Sequence, residues 1–170
     1  MEPLEFDQFK VLVRACRRAW HIELRDAYNV AGEDEPFSRF LAGHDEDAAW
    51  LEPWLSFVRE VTASGTLVQR ARVVTVPHGD YTRWGFAVAP SSISAGEDIR
   101  YLPRGQAADI GFPAEDYWLL DEDVLVLSVF SADGRTGGFA LEGDPALTVQ
   151  CRKVRDEVWP RAVPFQQYPH

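Results

Sequence analysis

Two arginines inside a strand constrain this chain more than any other feature. Thr66 to Val76 is the longest strand candidate, rich in β-branched residues and ended by Pro77. Arg70 and Arg72 fall within it two residues apart, so they share one face. Charged groups inside an otherwise apolar strand must be paired, ligand-facing or wet. Each outcome gives that face a different use.

The segment best placed to answer them is Trp20 to Arg25. Trp20, Ile22 and Leu24 alternate with His21, Glu23 and Arg25, the pattern of a half-buried strand with a polar face. If the two strands pair, Glu23 meets Arg70 and Arg72. That face then reads either as a general acid–base site or anion cradle, or as ordinary cross-strand ion pairing.

Around these strands the pattern predicts a helix from Glu5 to Arg18, with Phe6, Phe9, Val13 and Cys16 along one face. Tyr28 to Pro36 reads as a loop containing glycine and acids, and Pro36 to Leu41 as a short helical turn. Trp50, Trp54, Leu55, Val58 and Val61 form a helical stripe from Ala48 to Ser64, stopped by Gly65. Asp80 is a candidate N-cap for a helix to about Ala89, which Pro90 should end, leaving Ser91 to Gly96 as a loop. Ile99 to Leu102, Asp116 to Leu120, Val124 to Phe130 and Thr136 to Leu141 read as strands. The last two are joined by a hairpin at Ala132-Asp133-Gly134-Arg135. Asp144 followed by Pro145 opens a final helix to about Ala162. The expected fold is α/β (α+β): a single mixed β-sheet of about six or seven strands with helices packed on it, the C-terminal helix following the β-hairpin. Residues 1–170 read as a single domain.

A hydrophobic share of 46 % with six Trp is enough for a real core. The net charge of -10 excludes general nucleic-acid binding, which needs an excess of Lys and Arg. Arg14, Arg17 and Arg18 are the densest basic cluster, read as a solvated helix end. No signal peptide or membrane-length apolar run is visible, so the expectation is a cytoplasmic protein that engages no membrane. Cys16 and Cys151 read as buried reduced thiols.

Two further clusters are candidate binding surfaces. His78, Asp80, Tyr81, Arg83 and Trp84 lie at a strand-to-helix junction, where backbone N–H groups favour anions, although Asp80 already satisfies that start. Glu97, Arg100 and Arg104 lie in a turn-and-strand context that suits a partner peptide, a phosphate or internal ion pairs. Asp116 and the run Asp121-Glu122-Asp123 lack the spacing of a calcium loop and read as an acidic turn. His21, His44, His78 and His170 are scattered, so no metal site is expected. No phosphate-binding, dinucleotide or nucleophile-elbow motif is present, so no cofactor and no catalytic residue is assigned.

Six stretches carry a family resemblance: Trp20 to Tyr28, Arg70 to Val74, Asp80 to Trp84, Ala95 to Arg104, Asp116 to Asp121, and Val158-Trp159. Together they resemble an uncharacterised actinobacterial family known only as a domain of unknown function. Its members are often encoded near XRE-type helix-turn-helix regulators. The resemblance implies no activity and no catalytic residues. The second half also looks like half of a phospholipase-D-like sheet. Neither Lys10 nor Lys153 has a His two residues before it, so the His-x-Lys chemistry is not expected.

The leading expectation is a non-catalytic interaction or sensing module with a protein partner, a helix-turn-helix regulator. The alternative is a hydrolase or nucleic-acid-processing enzyme of unrecognised type, toxin-like, centred on His21, Glu23, Arg70, Arg72 and His78. Convergence of those five in one concave pocket would favour the enzyme. A third reading is a sensor of a small anionic ligand held by Arg70, Arg72, Arg83 and Arg100. A homodimer stays open.

Overall fold

The central feature of the computed structural model, which describes residues 1–131 and 133–170, is one mixed sheet with helices on both faces. Its strands are β1 (Glu2–Leu4), β2 (Arg18–Glu23), β3 (Leu67–Val74), β4 (Glu97–Pro103), β5 (Tyr117–Leu120), β6 (Val124–Phe130), β7 (Thr136–Glu142) and β8 (Val163–Pro164). They lie in the order β1-β7-β6-β5-β2-β3-β4-β8. β2, β3 and β4 are parallel neighbours, and the other pairings are antiparallel. The helices are α1 (Phe6–Ala15), α2 (Asp34–Leu41), α3 (Glu52–Ala63), α4 (Asp80–Ser94) and α5 (Pro145–Val158). The mixed α and β class with a single sheet is as expected. Eight strands replace six or seven because β1 and β8 are short, Pro-containing edge strands without an alternating pattern of their own.

Strand alternation divides the core in two. Trp20 and Ile22 of β2, Ala71 and Val73 of β3, Leu102 of β4 and Tyr117 and Leu119 of β5 point to one face. There α5 seals them with Cys151, Val154 and Val158. The helix starts as expected, with the Asp144 carboxylate accepting the Ala146 N–H at 2.8 Å. Ala19, Val68, Trp118, Leu120 and Val126 face the other way and pack on Phe9 and Val13 of α1 and Phe57 and Val61 of α3. Phe86 and Ala89 of α4 cover Val74, Ile99 and Tyr101 on that side. Cys16 and Cys151 are free and belong to clusters on opposite faces.

Several expectations need correction. The polar side of β2 is not solvated: every residue from Ala19 to Glu23 is buried. α4 runs through Pro90 to Ser94, so of the expected Ser91–Gly96 loop only Ala95 and Gly96 remain, as a turn. The lost hydrogen bond is outweighed by burial of Phe86, Ala89 and Ser92 along the helix. Asp80 is the first helical residue and not the N-cap, which is Gly79; its carboxylate pairs with Arg83 instead. The β6–β7 hairpin forms, with Gly134 at φ 80° and the Ser131 N–H donating to Arg135 O. Ala132 of that expected turn lies outside the described residues.

Candidate functional site

On the second face the helices part over the middle of the sheet and leave a pocket of about 370 Å³. That volume is within the usual range for small-molecule sites. Its floor comes from residues at alternate positions of neighbouring strands: His21 and Glu23 of β2, Arg70 and Arg72 of β3, Tyr101 of β4, and Trp118 of β5. Parallel register sets His21 beside Arg70 and Glu23 beside Arg72, and Arg72 beside Tyr101.

The floor is an ion-pair network. Arg70 donates from NH1 to Glu23 Oε1 at 2.9 Å and from Nε to Glu97 Oε1 at 2.7 Å. Arg72 Nε lies 2.5 Å from Glu23 Oε2. Glu23 therefore holds one guanidinium on each oxygen. Burial alone would raise its pKa, but the Arg72 and Arg70 charges hold it down at about 2. Burial also opposes the charged guanidiniums. For Arg70 the carboxylates of Glu97 and Glu23 win and keep it protonated. Glu23 does the same for Arg72.

His21 stacks flat on Trp118, with ring centroids 4.2 Å apart and planes 5° from parallel. Burial lowers its pKa to about 3, with the Arg70 and Arg72 charges adding to the effect and Glu23 opposing it. His21 is therefore neutral at physiological pH. Neither of its ring nitrogens has a hydrogen-bond partner, and the Tyr101 hydroxyl, which has the donor-only Arg72 guanidinium beside it, finds no acceptor for its proton. Buried polar atoms are nearly always satisfied, so these atoms mark places where the pocket offers bonds to something else.

The walls are aromatic. Trp50 and Trp84 stack at 5.4 Å, and the Glu46 carboxylate ties both by accepting their indole N–H groups. Tyr81 meets Trp84 edge-on at 5.4 Å and lies 5.9 Å from Tyr28, which lies 5.4 Å from Phe130. Two further carboxylates sit among these rings. Glu33 accepts from the Tyr81 hydroxyl, and Asp116 accepts from the Tyr28 hydroxyl and the Leu24 N–H. Burial raises the pKa of both carboxylates, Asp116 to about 6. Gly85 of α4 lets Arg72 in: a Cβ there would collide with Arg72 NH1.

A family model described as a domain of unknown function (DUF6879) matches residues 7–170. The chain belongs to that family. No curated protein matches it. The expected membership of a domain-of-unknown-function family holds over nearly the whole chain.

For this member of the family, the pocket gathers only part of the expected site set. His21, Glu23, Arg70, Arg72, Tyr81 and Trp84 line it, and Glu97 completes the network beneath Arg70. His78 does not join them. It bonds Thr75 O at 2.9 Å and the Tyr168 hydroxyl at 3.1 Å, beside a separate groove with Arg104. Arg83 turns back on Asp80 and His78 O, so that junction satisfies itself. Arg25 lies beyond the end of β2, bonded to Glu115 at 3.3 Å with its guanidinium 4.4 Å from the centre of the Phe130 ring. Arg100 points to the sealed face, with its guanidinium 4.0 Å from Trp159 and paired to Asp98 at 3.0 Å. Arg104 clamps Leu24 O at 2.7 Å and Val73 O at 3.1 Å. In the basic cluster, Arg14 pairs with Glu60 at 2.6 Å and Arg18 bonds Gln69 at 2.6 Å.

Tyr28, Glu33, Trp50, Tyr101, Asp116 and Trp118 are pocket residues that sequence reasoning did not assign to a site. Tyr101 and Trp118 carried a usable signal, because alternation puts each on a definite face of its strand. Tyr28 and Glu33 lie in irregular chain with no period to read. Among the described residues no group of three or more His, Cys, Asp or Glu is arranged to hold a metal, and no helix is long and apolar enough to cross a membrane.

Proposed function

We propose that this domain is a sensing module: it binds a small molecule in the aromatic-walled pocket and passes that state to a partner, a helix-turn-helix transcriptional regulator. The observation that carries the reading is the pair of buried groups, His21 and Tyr101, that face a roomy pocket without hydrogen-bond partners. A ligand that bonds to them would satisfy polar atoms that no protein group satisfies. The partner half of the reading rests on the sequence's resemblance to a regulator-associated actinobacterial family acting in the cytoplasm. A phospholipase-D-like ancestry stripped of its His-x-Lys nucleophile is compatible with such a role.

Convergence of His21, Glu23, Arg70 and Arg72 is the observation that favours the second reading, an enzyme. Three features weigh toward binding instead. A general base needs a free lone pair and a pKa near the working pH, whereas His21 is held far below it. Glu23 has both oxygens engaged by arginines. The fifth residue of the proposed catalytic set, His78, is elsewhere.

A thermal-shift screen of small metabolites on the whole domain, followed by co-purification with a neighbouring regulator with and without any hit, tests the sensing reading. A stabilising compound that alters the association supports it. Turnover of a hit, with no partner recovered, replaces it by the enzyme.

A further inference from the structure

The chemistry of the ligand can be argued one step further, resting on the reading of this pocket as a ligand site. Three carboxylates line the pocket, Glu23, Glu33 and Asp116, and Glu97 lies directly beneath. Only two guanidiniums, Arg70 and Arg72, accompany them. Those two are spent on Glu23 and Glu97. Glu33 and Asp116 are left with neutral partners: a tyrosine hydroxyl each, and one backbone N–H for Asp116. Arg25, whose charge reaches Asp116, is outside the lining and bonded to Glu115. A buried carboxylate without a hydrogen-bonded counter-charge is costly; Asp116 is buried and Glu33 half-buried, and each is held by one of two adjacent tyrosines whose rings lie 5.9 Å apart.

The rings around them match the same demand. Tyr28, Tyr81, Trp84 and Phe130 line one pocket, and aromatic faces attract cations through their quadrupole. Independently of the acids, His21 at 8 % and Tyr101 at 0 % exposure put unpartnered polar atoms into the same space. A free anion would have to compete with Glu23 and Glu97 for their arginines and then sit near two acids that have no directly bonded cation.

We propose that the ligand is a small organic cation of the amine class, its positive nitrogen seated by Glu33 and Asp116 and its apolar body against Tyr28, Tyr81, Trp84 and Phe130. Matched probes test this on the whole domain, read by thermal shift, calorimetry and tryptophan fluorescence. Two cations, 2-phenylethylamine and benzyltrimethylammonium, are compared with the neutral 2-phenylethanol and the anion 3-phenylpropanoate. The expected result is cation binding at least about tenfold tighter than either of the others, a difference of about 1.4 kcal/mol. Glu33→Gln, which keeps an acceptor for Tyr81, should lower cation affinity by about tenfold and leave 2-phenylethanol unchanged. Asp116→Asn should do the same and serves if the first variant does not fold. Equal or tighter binding of the alcohol or the carboxylate overturns the cation and leaves the ligand pocket standing. If no probe binds at millimolar concentration, the cation inference and the pocket reading fall together.

Discussion

The two faces of the central sheet are made by the same strands, one residue out of phase, and they are built on opposite terms. On the α5 side Trp20, Ile22, Ala71, Val73 and Leu119 are buried in one cluster with the apolar face of the helix. On the other side His21, Glu23, Arg70, Arg72 and Tyr101 meet one another around a pocket. The first face lowers free energy by removing apolar surface from water. The second holds charge in a poorly solvated place, where its worth depends on each partner being present. The lesson is that a strand's buried polar phase is supported by the apolar phase it shares a backbone with.

The comparison can be broken hardest at Glu23. Glu23→Gln removes the charge that both arginines answer, and unfolding by denaturant should show a loss of about 4 kcal/mol near neutral pH. Because Glu23 has a folded pKa lowered to about 2 from 4.5, its contribution is present above about pH 4.5 and fades as pH falls toward 2. The variant and the parent should therefore converge in acid. On the sealed face Leu119→Ala should cost about 3 kcal/mol, and that loss should hold at every pH where the domain folds. A Glu23→Gln deficit that stays constant down to pH 3 would erase the distinction between the faces.

His21 sharpens it further. Its folded pKa of about 3 lies below the unfolded 6.5, so the unfolded chain takes up the proton first and stability falls as pH drops from 6.5 toward 3. His21→Gln should remove that slope, making the variant up to about 3 kcal/mol less acid-sensitive between pH 6.5 and 4, at about 1.4 kcal/mol per pH unit. Parallel stability–pH curves for parent and variant would refute it. The smallest contrast is between two tyrosines. Tyr117 on the sealed side donates to Cys151 O at 2.9 Å, so Tyr117→Phe should cost about 1 kcal/mol. Tyr101 has no such partner, so Tyr101→Phe should be nearly neutral in thermal unfolding of the ligand-free domain.

Much of this was legible in residue order, for definable reasons. Period-two alternation through Trp20 to Glu23 and across Arg70 and Arg72 put the four pocket residues on one side of their strands, and their pairing followed from strand adjacency. What alternation cannot report is the cover. The residues that bury this face, Phe9 of α1, Trp54 of α3 and Trp84 of α4, are distant in sequence, and each fits equally well as plain helix core. The pocket's outer acids were hidden for the same reason. Glu33 sits in a single 3-10 turn within what reads as a loop, and Asp116 just ahead of β5 at what reads as a strand start beside an acidic turn; neither position points to a pocket until Tyr81 and Tyr28 are seen reaching them. Pro90 misled because a local breaker was outweighed by the contacts of the helix around it.

Gly85 carries a consequence for the mounting of α4. The tip of Arg72 occupies the space a side chain would fill there, between Trp84, which lines the pocket, and Phe86, which packs on Tyr101. Turning the helix by one residue would bring an indole or a phenyl ring toward the guanidinium that Glu23 holds, so the bare position favours the observed setting of α4 over the sheet. That bare position lets α4 lie close over the Arg72 tip, beside the Tyr81–Trp84 wall.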